Sequence, residues 1–189
     1  MKFYHRVRIF TAAPILASGL LIVLGLQRPE IFSGPAQWLL SLLFLGVLPL
    51  LGYPLQLYLP YFKAAGRPGQ RTLAMLFAAL GYLLGCLMLG VTGGTAGCWL
   101  VYLEYLFSGI VLLLLNKVCH LTASGHACGA MDSVALLLHF HLYAACIVGL
   151  AIAALSIVAS KQTRRHTLPQ LLGGGLIPWC VLLLLECLL

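Results

Sequence analysis

Apolar residues run along the 189-residue chain in long blocks separated by short polar breaks. The blocks cover 9–26, 37–59, 72–92, 97–115, 125–140, 142–159 and 168–188. An α-helix needs ~20 apolar residues to cross the hydrocarbon core of a bilayer. The pattern therefore predicts an all-α polytopic integral membrane helix bundle of about seven spans. Pro49 and Pro54 interrupt the second block; proline is tolerated in membrane helices where neighbours satisfy the freed carbonyls, so a kink is expected rather than a break. The stretch from Gly125 to Ala159 is too long for one span at ~1.5 Å per residue. Two short helices joined by a tight turn near His139-Phe140-His141 fit better, although neither glycine nor proline marks the turn. Counted as one helix, that stretch reduces the total to six.

Composition agrees. Hydrophobic residues make up 62% of the chain and charged ones only 8%, with a mean hydropathy of +1.04. A soluble domain carries about 25% charged residues, so too few are present to coat a water-facing surface. One membrane-embedded domain over 1–189 is expected, with membrane lipids and not nucleic acid as its partners. The first block follows Lys2, Arg6 and Arg8 as a signal peptide would, but it is longer than a signal's apolar region and lacks a clean small-residue cleavage site. An uncleaved first span is expected. The seven cysteines form no C-x-x-C pair and lie mostly inside apolar blocks, where they act as small hydrophobes. They suggest neither a disulfide framework nor a zinc site, and no metal or cofactor is expected.

The basic residues orient the spans. With seven crossings, Lys2, Arg6, Arg8, Lys63, Arg67, Arg71, Lys117, Lys161, Arg164 and Arg165 share the side of the N-terminus, and only Arg28 falls opposite. The positive-inside bias places that side in the cytoplasm. Setting aside Lys117, Lys161, Arg164 and Arg165 as phosphate ligands leaves the bias intact.

Two histidines on the basic side are candidates for chemistry. His126 lies in Thr122-Ala-Ser-Gly-His-Ala-Cys-Gly129, at the start of the fifth block, and His166 lies just before the last. Small residues allow close approach, the amides at a helix start attract anions, and Lys161, Arg164 and Arg165 supply donors for phosphate oxygens. One imidazole can attack phosphorus while the other protonates the leaving oxygen. The ordinary alternatives stand beside this reading: His126 as a residue near a helix cap, His166 as a headgroup-facing polar residue, and the basic residues as anchors on anionic lipid. Glu104 and Asp132 lie within spans, where acids are usually paired or functional; a structural hydrogen bond is the simpler reading of Asp132. His120 is a further possible substrate contact, and His139 and His141 fall on the far-side turn.

Ser124-Gly125-His126 resembles the second signature, Pro-Ser-Gly-His, of the type 2 phosphatidic acid phosphatase superfamily. His166, followed by Gln170 and Gly173, is similar to its third, Ser-Arg-x5-His-x3-Asp, in the variant form that has glutamine for aspartate. Pro68-Gly-Gln-Arg71 resembles an arginine-containing element upstream in short bacterial members. The layout extends over most of the chain, but the specific part is about 25 residues. The resemblance implies a bacterial inner-membrane hydrolase that needs no metal and cleaves a lipid phosphate through a phosphohistidine. Phosphatidic acid, phosphatidylglycerophosphate and polyprenyl diphosphate are the implied substrate types. His166 would be the nucleophile, His126 the general acid and Gln170 the residue holding the His166 ring; Lys161, Arg164, Arg165, Ser124 and Gly125 would bind phosphate.

The chain departs from the pattern at its cations. No Lys-x6-Arg-Pro precedes Ser124; Thr122 stands where short members have lysine, and Ser160 where the third motif has arginine. The alternative is thus a weakened or inactive relative that binds lipid phosphate or scaffolds partners. A small transporter, suggested by Glu104 and Asp132, ranks last because no internal repeat accompanies them.

Overall fold

The computed structural model describes residues 2–119, 121–163 and 166–188, the side chains of Lys2 and His5 excepted. The described residues form helices and loops without a strand. In chain order the α-helices are α1 (Lys2–Phe10), α2 (Ala13–Gln27), α3 (Pro35–Ser41), α4 (Leu48–Leu55), α5 (Pro60–Ala64), α6 (Gly66–Thr92), α7 (Ala96–Lys117), α8 (Gly125–His139), α9 (Tyr143–Gln162) and α10 (Leu168–Leu188). Among the described residues, five segments are long and apolar enough to cross a membrane: Pro35–Leu55, α6, α7, α9 and α10. α2 is apolar but shorter, at 15 residues. Large side chains such as Leu87 and Leu183, each 63% exposed, face outward along these helices, as a surface solvated by lipid requires. The chain is a polytopic membrane helix bundle.

Local sequence explains where the helices depart from the apolar blocks. The block at 9–26 is two helices, α1 and α2, separated at Thr11 and Ala12. Pro14, in the first turn of α2, has no amide hydrogen and suits the start of a helix rather than its interior. Between α3 and α4 the backbone widens into a π-helical turn, Leu42–Val47. There the Leu48 amide reaches back five residues to the Leu43 carbonyl, and Pro49, which cannot donate, follows directly. The wider turn lets the helix continue past the proline.

The chain forms two compact units, 17–102 and 1–16 together with 103–189. In the first, the α3–α4 segment packs on α6. Trp38 donates its indole N–H to the Leu21 carbonyl (2.8 Å), and Gln37 donates to the Gly93 carbonyl (3.0 Å). Pro68 and Arg71 belong to this unit, in the first turns of α6.

The second unit is centred on α8. From Ala127 to Leu137 every residue of α8 except Met131 is buried, as expected of a helix enclosed by its neighbours. α9 returns antiparallel after a turn in which His141 adopts φ of +58°; a non-glycine side chain thus takes the left-handed conformation in the tight turn expected near His139-Phe140-His141. α10 packs on α8 in parallel. At one end the Ser124 amide donates to the Gln170 carbonyl (2.9 Å). At the other, His139 Nδ1 and Glu186 Oε1 are 2.6 Å apart.

Candidate functional site

The loops that start α8 and α10 lie side by side, and the site is built on that seam. Ser124 is the N-cap of α8; its backbone is extended and its hydroxyl accepts the Ala127 amide at 3.4 Å. Gly125 and His126 are the first two residues of α8. Across the seam, Gln170 joins four groups. Its Oε1 accepts the Thr167 amide (3.1 Å) and faces His166 Nδ1 (3.3 Å), its Nε2 donates to the Thr122 hydroxyl, and its carbonyl takes the Ser124 amide. An amide oxygen only accepts, so the neutral His166 ring carries its hydrogen on Nδ1, leaving Nε2 as the basic nitrogen. Gly174 makes the seam possible: a Cβ there would overlap the Ser124 backbone.

His126 is tied elsewhere. Its Nε2 lies 2.9 Å from the Arg8 carbonyl oxygen; a carbonyl only accepts, so the ring donates from Nε2 and Nδ1 is the unprotonated nitrogen. His126 lies outside the five spanning helices, partly buried in the first turn of α8. Burial lowers its pKa first, the Arg8 charge second, and the nearby His166 adds to them; together they bring it from 6.5 to about 4, although the bond to the Arg8 carbonyl opposes the shift. The ring is therefore neutral at neutral pH.

Because α8 and α10 run parallel, both present their N-termini at this seam. The positive dipole ends of two helices meet there, an arrangement that favours an anion. One turn beyond Gln170, Gly173 opens a lateral groove of about 330 Å³ along α7 and α10, lined by Val111, Leu115, Leu176, Cys180 and Leu184. From Gly173 to Leu184 the groove extends about 16 Å along the helix.

The structure thus gathers Ser124, Gly125, His126, His166 and Gln170. Lys161 is exposed on the last turn of α9, whereas Arg164, Arg165 and His120 lie outside the described residues. Asp132 stands six residues, about 9 Å, deeper along α8 than His126, with Oδ2 3.8 Å from Cys128 Sγ. Glu104 is fully buried, and neither of its carboxylate oxygens has a hydrogen-bond partner among the described residues. His139 and His141 lie at the opposite end of α8. Among the described residues no three His, Cys, Asp or Glu side chains are grouped to hold a metal ion. Sequence reasoning treated Arg8 only as an orientation signal. Its place beside His126, 118 positions away, left no mark in motif or spacing.

Comparison with protein-family models, with curated proteins and with solved structures returns no match to this chain.

Proposed function

We propose that the chain is a membrane lipid-phosphate phosphatase of the type 2 phosphatidic acid phosphatase kind, acting through a phosphohistidine. The observation that carries this reading is the seam itself: the Ser124–Gln170 backbone bond brings together the two loops that hold His126 and His166. Two helix N-termini and the half-buried Arg8 favour a phosphate at that seam. The adjoining apolar groove suits a lipid tail.

In this mechanism the Nε2 lone pair of His166 attacks phosphorus. The P–O bond to the lipid breaks, and the departing oxygen takes a proton from His126. Water then adds to phosphorus, the P–N bond breaks and its electron pair returns to His166. Inorganic phosphate leaves, and the water's proton goes to His126. Burial is the main reason that His126 is neutral and the Arg8 charge the second; a bound phosphate dianion offsets that charge and favours protonation of the ring when substrate arrives. Gln170 orients His166 but, unlike a carboxylate, adds no negative charge beside it, so a slow nucleophile is expected. The bias of basic residues supports a cytoplasmic face for this seam, and the bacterial inner membrane is the location that goes with the proposed family.

The test is phosphate release in detergent from phosphatidic acid, phosphatidylglycerophosphate and a polyprenyl diphosphate, in the presence of EDTA. Wild-type protein should release phosphate and form an acid-labile phosphoprotein on brief mixing; His166→Ala should do neither. Release that persists in His166→Ala would overturn the mechanism. A second reading, a lipid-phosphate-binding relative without turnover, is favoured by Thr122 and Ser160 at the two cation positions. It predicts lipid-phosphate binding with no release from any substrate.

A further inference from the structure

The two positions where a phosphate-binding cation is expected cannot supply one. The Thr122 hydroxyl receives the Gln170 amide, and Ser160 is 1% exposed on α9. A different cation stands at the site. Arg8, near the end of α1, accepts the His126 ring hydrogen on its carbonyl oxygen (2.9 Å), and its Nη1 lies 3.5 Å from the hydroxyl of Thr163, three residues before His166. The placement does not depend on the guanidinium: the Thr11 hydroxyl bonds the Val7 carbonyl (2.9 Å) and the Ser156 hydroxyl (3.0 Å), fixing the end of α1 to α9. Arg8 is half-buried, whereas Arg6, half a turn earlier, is exposed. An orientation signal or headgroup anchor needs only exposure; a half-buried arginine whose carbonyl holds the His126 ring and whose guanidinium reaches Thr163, three residues before His166, is placed to serve as an anion clamp.

We propose that Arg8 is a phosphate-binding cation of this site, delivered by the N-terminal helix in place of the cations absent from positions 122 and 160. This rests on the phosphatase reading for its substrate, but its anion chemistry is testable separately. Placing a guanidinium beside His126 disfavours a second positive charge there, and a bound phosphate relieves that repulsion. The clamp thereby links binding to protonation of the general acid.

The experiment compares Arg8→Ala, Arg8→Lys and Arg6→Ala with wild type in two measurements. The first is KM and kcat on dioctanoyl phosphatidic acid, with and without tens of millimolar guanidinium. The second is the increase in thermal midpoint produced by orthovanadate. Arg8→Ala should raise KM about ten- to a hundred-fold, as loss of a charge-assisted bond does. Added guanidinium should restore part of the loss, Arg8→Lys should be intermediate, and Arg6→Ala should match wild type. The vanadate increment should disappear in Arg8→Ala, whatever the midpoint of the unliganded variant. Wild-type KM and vanadate response in Arg8→Ala would overturn the proposal, as would equal losses in Arg6→Ala. If wild type hydrolyses nothing but binds vanadate through Arg8, the clamp stands and the phosphatase reading falls. If wild type neither hydrolyses nor binds vanadate, both fall.

Discussion

The carbonyl oxygen of Gln170 accepts the amide hydrogen of Ser124 at 2.9 Å, joining the starts of two parallel helices by a single backbone bond. That bond lies two residues from His126 and four from His166. It sets two helix N-termini side by side, and it requires the helices to approach more closely there than side chains would allow.

Gly174 permits that approach. Gly174→Ala drives a Cβ into the Ser124 backbone, which cannot yield as a flexible side chain would. Overpacking of this kind costs about 1–3 kcal/mol, so the thermal midpoint and phosphate release should both fall. At Gly173 an added Cβ meets nothing, and Gly173→Ala should retain wild-type stability. Equal melting behaviour of the two variants would contradict the close seam.

Gln170 holds the His166 ring by its Oε1 (3.3 Å). Gln170→Ala should lower kcat about ten-fold, the equivalent of one hydrogen bond at a half-buried site. Gln170→Glu keeps the shape and places a negative charge beside the ring. The ring then holds its proton more tightly, so the acidic limb of the kcat/KM profile should move to higher pH. An unchanged kcat in Gln170→Ala would remove Gln170 from the positioning role.

His126 gives the protein a pH-dependent stability. Its pKa falls from 6.5 to about 4 on folding, from burial first and the Arg8 charge second. The unfolded chain therefore binds a proton more readily than the folded one. The stability associated with the neutral ring is fully present above 6.5 and is lost as pH falls from there through about 4. Thermal midpoints measured across that window should decline, and His126→Asn should show a shallower decline than wild type. Parallel curves for the two proteins would mean that His126 is not held neutral.

The groove beginning at Gly173 should distinguish tails, not headgroups. Gly173→Phe projects a ring into the open space along Leu115 and Leu176, displacing van der Waals contacts with a chain lying there. Release from long-chain phosphatidic acid should drop about ten-fold in kcat/KM, equivalent to ~1.4 kcal/mol, while the dihexanoyl substrate is hydrolysed at the wild-type rate. The same loss on both substrates would place the tail elsewhere.

Much of the fold is legible in the chain because membrane helices announce themselves locally. An apolar run of sufficient length satisfies its own backbone hydrogen bonds within one segment and needs no distant partner. The starts of α8 and α10, the turn at His139–His141 and the helical passage through Pro49 follow from such short-range rules. The π-helical turn at Leu42–Val47 and the early start of α6 at Gly66 were not visible, since each depends on which neighbour receives the backbone.

By itself, the sequence determined that the protein is a helical membrane bundle and marked His126, His166 and Gln170 as a candidate set. Only the tertiary structure decided that α8 and α10 run parallel with their starts bonded together, and that Arg8 stands beside His126. The reason is physical. Hydrophobicity and helix formation act over neighbouring residues and leave periodic traces, whereas a contact between Arg8 and His126 arises from packing between segments far apart in the chain and leaves none.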